Sequence, residues 1–283
     1  MARRIIDTHQ HLWDLDRFHL PWLSGVPALN RSFRPDDYAR AIAGTGVAAS
    51  VYLEVDVEES EMLAEARYAL RLAESADNPI AGVVASARPE AENFRAYLDQ
   101  IAGHPALKGI RRVLHTQPDG LGETPRFTEH VGALAARGLS FDVCVRADQL
   151  ATALHLARRC PEVTLILDHC GNPRVREGEL DPWRGRIREL AQCPNVACKV
   201  SGIVVNANRE RWTAADLRPY IEHCIESFGW ERVMFGGDWP VCTLAAPLGR
   251  WLEALESVLA GESEERRDLL FYGNAARIYR LGL

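Results

Sequence analysis

Short apolar runs rich in β-branched residues alternate along the chain with stretches whose apolar positions recur every three to four residues. The runs fall at residues 4–8, 49–55, 80–85, 107–114, 140–145, 164–167, 196–200 and 233–236. Each is bounded by polar or glycine-containing connections, as strands are. Between them, residues 58–75 put Met62, Ala66, Ala69, Leu70 and Ala73 on one helical face, behind acids that suit a helix N-terminus. Residues 127–137, 148–159, 183–191 and 214–228 follow the same period, and Gly138 and Gly229 stand where two of these helices stop. The strands recur about every 33 residues, the length that a strand, helix and two loops need in a parallel repeat. Eight such units with no linker or compositional break predict the α/β class: a single (β/α)8 TIM barrel, one domain over residues 1–283.

One stretch breaks the rhythm. Residues 12–33, rich in Trp, Pro, Leu and Gly, follow the first strand without clear periodicity. Long connections of this kind usually cover or bind something, so residues 12–33 are expected to form an active-site loop.

Composition narrows the class of function. Of 283 residues, 47% are hydrophobic and 25% charged, the proportions of an ordinary globular chain able to bury a large core. The chain has no apolar run long enough to span a bilayer, and its first residues meet Asp7 before a signal core can form, so neither a membrane nor secretion is expected. A net charge of −6 offers no footprint for nucleic acid. Seven cysteines, an odd number with no CxxC pair, read as reduced thiols of a cytoplasmic protein. The expected partner is a small molecule, and a homo-oligomer is left open.

Barrel enzymes carry their chemistry at the C-terminal ends of the strands. The first strand ends Asp7-Thr8-His9-Gln10-His11, and residues two apart on a strand share a side about 6.6 Å apart. Both imidazoles can therefore converge on one ion or one substrate oxygen. The sixth ends Leu167-Asp168-His169-Cys170-Gly171 and the eighth Phe235-Gly236-Gly237-Asp238-Trp239-Pro240, adding a third imidazole and a carboxylate. A lone strand-end histidine is usually structural; the conjunction of His9, His11, His169 and Asp238 points to a shared centre.

These motifs, together with Pro21-Trp22, Lys108-Gly109-Ile110-Arg111 and Cys198-Lys199-Val200-Ser201-Gly202, run in order along nearly the whole chain. The sequence resembles the amidohydrolase superfamily in its amidohydrolase-2 branch of small lactonases and decarboxylases. Within that branch it is most similar to sugar lactonases of the L-fuconolactonase and L-rhamnonolactonase type. The resemblance implies that His9, His11 and His169 hold a lactone carbonyl oxygen while Asp238 activates water, opening a sugar 1,4- or 1,5-lactone to its hydroxy acid. It implies no strict need for a cofactor, although three histidines and an aspartate are also a ligand set for one divalent ion such as zinc. A two-metal centre is not expected, because the fourth strand carries Arg111 to His115 where binuclear relatives place a modified lysine, and the fifth strand supplies no histidine.

Arg111 shares strand parity with Val113 and His115, so all three face one side. An inward arginine can orient a lactone oxygen or a carboxylate, or it can simply pair with Asp142 or another acid. His115 is a substrate-binding candidate, Trp22 one that would stack on a sugar ring or plug the barrel, and Lys199 one that would bind substrate or form a buried ion pair. The main alternative in the same fold is a zinc-dependent decarboxylase of an aromatic or unsaturated acid, with Arg111 gripping the carboxylate. A metal-dependent nuclease would want a basic mouth, and a noncatalytic binder would not need Asp238. His104, His130, His155 and His223 fall away from strand ends and read as surface or packing residues. Cys170 beside His169 does not read as a dyad, since adjacent strand residues point apart.

Overall fold

Eight parallel strands form one sheet in chain order, β1 (Ile5–Gln10), β2 (Val47–Leu53), β3 (Ile80–Ser86), β4 (Leu107–Val113), β5 (Ser140–Cys144), β6 (Leu165–Leu167), β7 (Val196–Val200) and β8 (Val233–Phe235). They are seen in a computed structural model that describes residues 3–283. The connections carry the expected helices, so the architecture is a (β/α)8 barrel. Helix boundaries shift where local chemistry intervenes. The helix expected from residue 58 starts at Met62 after a 3₁₀ turn, Glu59–Glu61. The one expected at 127–137 begins at Pro125, whose fixed φ suits a first helical position. It gives way to a 3₁₀ turn, Ala135–Arg137, that Gly138 ends in the left-handed conformation.

Neighbours β1 to β8 pair by parallel ladders, but β8 meets β1 differently. That seam is closed by the residues just beyond β8: the Asp238 N–H donates to the His9 carbonyl at 2.7 Å and the His11 N–H to the Trp239 carbonyl at 2.8 Å. Below them the Thr8 hydroxyl donates to the Phe235 carbonyl at 2.6 Å.

A large apolar cluster lies between the sheet and the helices, with Phe127, Phe141, Trp251 and Phe271 fully buried. A second, smaller cluster takes Ile6, Val51, Val84, Ile166, Ala197 and Met234 from six different strands and packs them with Tyr279 near the C-terminus. Strand alternation then stacks a charged layer on this apolar one: Lys199 lies two residues beyond Ala197, and Asp168 two beyond Ile166.

The large apolar residues of the segment 12–33 are anchored, while most of its polar ones face solvent. Trp13 and Phe33 pair as an antiparallel bridge that joins the two ends of the segment. Pro21 and Pro27 each start a 3₁₀ turn, Pro21–Gly25 and Pro27–Leu29, and Trp13, Leu23, Leu29 and Phe33 are buried. All seven cysteines are free and buried. Among the described residues, no helix is long and apolar enough to cross a membrane.

Beside β2, the Tyr52 hydroxyl donates to Glu65 at 2.8 Å. Burial, reinforced by Glu54, pushes the Glu65 carboxyl up from 4.5 to about 8. Across that window the folded chain keeps a proton that the unfolded chain has released, so stability falls as pH rises. Relative to Glu65→Gln, the wild type is expected to lose up to roughly 1.4 kcal/mol per pH unit through this range in urea unfolding. A pH-independent difference between the two proteins would contradict it.

Candidate active site

The seam between β1 and β8 fixes the backbone of the residues that carry the chemistry. The buried Asp7 carboxylate reinforces it, accepting from the N–H of Gly237 at 2.7 Å, the N–H of His9 at 3.0 Å and the Tyr38 hydroxyl at 2.8 Å. Burial, opposed by these donors, raises Asp7 to about 6. From this platform the four side chains gather. The His9 ring lies 4.9 Å from that of His11 and 4.3 Å from that of His169, centroid to centroid. Asp238 Oδ1 is 3.5 Å from His11 Nε2 and 3.7 Å from His9 Nε2.

The backbone is strained where it delivers these groups. His169 and Asp238 have φ of 53° and 55°, a region that residues with a side chain rarely occupy. Among the described residues, four of the six non-glycine positions with positive φ, Asp56, His169, Asn172 and Asp238, line one cavity. Strain of this kind costs of order 1–3 kcal/mol per residue and collects at functional sites. The left-handed turn also separates neighbours: His169 faces the site, while the Cys170 thiol turns toward the Lys199 carbonyl at 3.6 Å. Gly202, itself at φ +64°, wedges in where a Cβ would stand 2.4 Å from His169 Nδ1 and 2.9 Å from Asp238 Oδ2.

Beneath the histidines lies the charged layer. Lys199 Nζ reaches Asp142 Oδ2 at 2.5 Å, Asp168 Oδ1 at 3.1 Å and His9 Nδ1 at 3.3 Å. The Tyr279 hydroxyl also donates to Asp142, at 2.6 Å. Arg111 places Nε 3.0 Å from Asp168 Oδ2, with a terminal nitrogen 3.3 Å from Glu54 and the other 3.3 Å from the Cys144 sulfur. Burial alone would raise Asp168, but Lys199, His9 and Arg111 hold it well below the ordinary carboxylate range. Arg111 is thus paired with Glu54 and Asp168, and it is Lys199 that takes Asp142.

Hydrogen-bond partners decide where protons sit. His11 Nδ1 lies 3.0 Å from the Leu53 carbonyl, which can only accept. Neutral His11 therefore carries its proton on Nδ1 and turns the Nε2 lone pair toward Asp238. A lone pair and a carboxylate so close call for a proton or a cation between them. His169 Nδ1 meets the Ser201 hydroxyl at 2.9 Å, a partner that can donate or accept. Burial pushes the His9 imidazole well below its ordinary value, with Lys199 and His169 adding to the effect and Asp168 opposing it. His9 Nε2 has no hydrogen-bond partner among the described residues. The ligand atoms of His9, His11 and Asp238 lie within 4.8 Å of one another, so this donor set fits a divalent cation such as zinc.

Above the cluster opens a cavity of about 250 Å³, the size for a small single-ring ligand. His11, His169 and Asp238 line it, with Arg111, His115 and Trp22 around them. Burial and the nearby Arg111 push His115 down to about 4, which leaves it neutral. The Trp22 N–H is tied to the Val55 carbonyl at 2.9 Å, presenting the ring edge-on to Trp13. His9 and Lys199, fully buried, lie behind the lining. Sequence reasoning did not single out Glu54, Asp56, Asn172, Asn206 or Gly202 on the lining, nor Asp168 beneath it. The signal was there for Glu54 and Asp168, acids directly after apolar strands. Away from the site, His130 and His223 are held by the Pro89 and Arg184 carbonyls, as packing histidines are.

A family profile described as amidohydrolase matches residues 6–281. The chain is 32% identical to an L-fucono-1,5-lactonase of Burkholderia multivorans over 98% of this chain and 96% of that one. It is 30% identical to an L-fucono-1,5-lactonase of Burkholderia ambifaria over 98% and 95%. The crystal structure of an amidohydrolase from Burkholderia multivorans with bound zinc superposes with a TM-score of 0.88 at 30% identity, covering 98% of this chain and 99% of the other.

Gly202→Ala drives a methyl group between His169 and Asp238, whereas Gly25 has open space around it. Calorimetric titration with Zn²⁺ is expected to show binding weakened by about 10–100-fold in Gly202→Ala, the range for disturbing the surroundings of metal ligands. Gly25→Ala should leave it unchanged. Equal affinities in wild type and Gly202→Ala would contradict this placement of the cation.

Proposed function

The chain belongs to the amidohydrolase family, and on that premise we propose that it is a hydrolase that opens a lactone, a sugar 1,4- or 1,5-lactone, to its hydroxy acid. The observation that carries this reading is the meeting of Asp238 with His11 and His169 at the floor of a small cavity and with His9 just behind it. The lactonases similar to it over nearly their full length support the substrate class.

Opening a lactone needs a base for water and donors for the carbonyl oxygen as negative charge develops there. Asp238 takes the proton from water. His11, whose Nε2 presents a lone pair on the same side, shares that water with Asp238, so its role differs from the carbonyl-holding one that the family resemblance implies. The carbonyl oxygen is left to His169 at the cavity floor and to His9, which reaches the centre from behind through Nε2. Water oxygen bonds to the carbonyl carbon, the intermediate expels the ring oxygen, and the proton held by Asp238 passes to that oxygen. A divalent ion, if held by His9, His11, His169 and Asp238, would supply positive charge there in place of the His9 N–H, since a ligating ring needs its lone pair at Nε2.

Charge balance favours a neutral ring over a free acid. A decarboxylase would need Arg111 to grip a carboxylate, but its guanidinium already lies against Glu54 and Asp168. Arg111 and His115 instead serve as neutralised or neutral polar walls for ring and hydroxyl oxygens. Residues 1–283 act as one domain in this reading, with 12–33 as a cover whose Trp22 offers a flat apolar wall to one face of the sugar. Seven unpaired thiols suit a cytoplasmic setting.

Acid release from a panel of 1,4- and 1,5-sugar lactones tests the assignment. The wild type is expected to turn over at least one of them, and Asp238→Asn to lower kcat by about 10²-fold or more. Unchanged rates in Asp238→Asn, or an inert wild type that instead releases CO₂ from aromatic acids, would overturn it.

A further inference from the structure

We propose that Lys199 is a positioning residue that fixes the tautomer of His9, holding its proton on Nε2 so that the ring acts as a hydrogen-bond donor where a metal site would need a lone pair. An ammonium has three donors and no acceptor. Those of Lys199 meet Asp142 Oδ2 at 2.5 Å and His9 Nδ1 at 3.3 Å, with Asp168 Oδ1 beside them as an ion-pair partner at 3.1 Å. In this proposal Lys199 wins the nitrogen that faces it, so His9 Nδ1 accepts and the ring proton sits on Nε2. That nitrogen is buried, has no partner among the described residues, and points toward Asp238 Oδ1 at 3.7 Å.

The opposite tautomer has a waiting partner. Asp168 Oδ1 also lies 3.3 Å from His9 Nδ1, and neither of its oxygens completes a directional hydrogen bond among the described residues. A ring protonated on Nδ1 would donate to Asp168 and expose a lone pair at Nε2, the arrangement of a metal-ligating histidine whose other nitrogen donates to a carboxylate. Lys199 and Asp168 thus compete for one nitrogen, and the winner decides whether the centre presents a proton or a ligand. His9 and His11 then carry opposite tautomers, since the Leu53 carbonyl fixes His11 with its proton on Nδ1.

The functional meaning rests on the proposed lactonase reading, but the tautomer does not, and it is measured without substrate. In metal-stripped protein labelled with ¹⁵N-histidine, with His9 signals identified by their loss in His9→Gln, two-bond ¹H–¹⁵N correlations are expected to show His9 protonated on Nε2 and His11 on Nδ1. Lys199→Met keeps the stem and removes the donors. It is expected to move the His9 proton to Nδ1, to strengthen Zn²⁺ binding by at least about tenfold, and to lower kcat on a lactone by about 10²-fold with KM little changed. Wild-type His9 protonated on Nδ1 would overturn the proposal without recourse to any variant. So would an unchanged tautomer or unchanged zinc affinity in Lys199→Met. A wild type inert toward lactones would remove the lactonase reading and leave the tautomer result standing.

Discussion

Two backbone hydrogen bonds, from Asp238 to His9 and from His11 to Trp239, are the constraint on which the rest depends. They close the barrel at the one place where the ladder of strands does not, and they join the two segments whose side chains carry the chemistry. Asp238, just beyond the eighth strand, and His9 on the first are 229 positions apart in the sequence. Their relative placement is nevertheless as rigid as a pair in a sheet. Asp7 doubles the constraint by binding Gly237 and His9 with one carboxylate.

Beneath the seam the barrel trades hydrophobic filling for charge. Lys199, Arg111, Asp142, Asp168 and Glu54 are almost wholly removed from water. Burying such groups is costly, and stripping one partner from a buried pair typically costs about 3–5 kcal/mol. Their arrangement as a connected set spreads that cost and sets the field at the histidines. It also neutralises Arg111 before any ligand arrives, which turns the cavity above toward uncharged substrates. The left-handed turns at His169 and Asp238 add strain at the same level of the barrel. Stability is thus given up where the chemistry is placed and recovered in the apolar layer below and in the helix-facing core.

The barrel was legible because each strand is an apolar run and each helix keeps its period. His9, His11, His169 and Asp238 were legible because they follow directly on such runs, where a barrel opens its mouth. Other features were not readable, for physical reasons. The partners of Arg111 and Lys199 come from other strands, so parity showed that these cations point inward without showing which acids meet them. Asp142 was the acid named for Arg111, yet Lys199 holds it. The tautomers of His9 and His11 depend on atoms of Lys199 and Leu53, far away in sequence. The order within residues 12–33 comes from two prolines and a Trp13–Phe33 bridge, which leave no periodic trace.

The central claim is that Asp238, with His11, acts on water while His9 and His169 act on the carbonyl oxygen, so no bond forms between enzyme and substrate. Single-turnover hydrolysis of a sugar lactone in ¹⁸O-water, with enzyme in excess, tests this directly by mass spectrometry of product and protein. One ¹⁸O in the product carboxylate and none in the peptide containing Asp238 is the expected result. Label in that peptide, or in the product hydroxyl, would contradict the account.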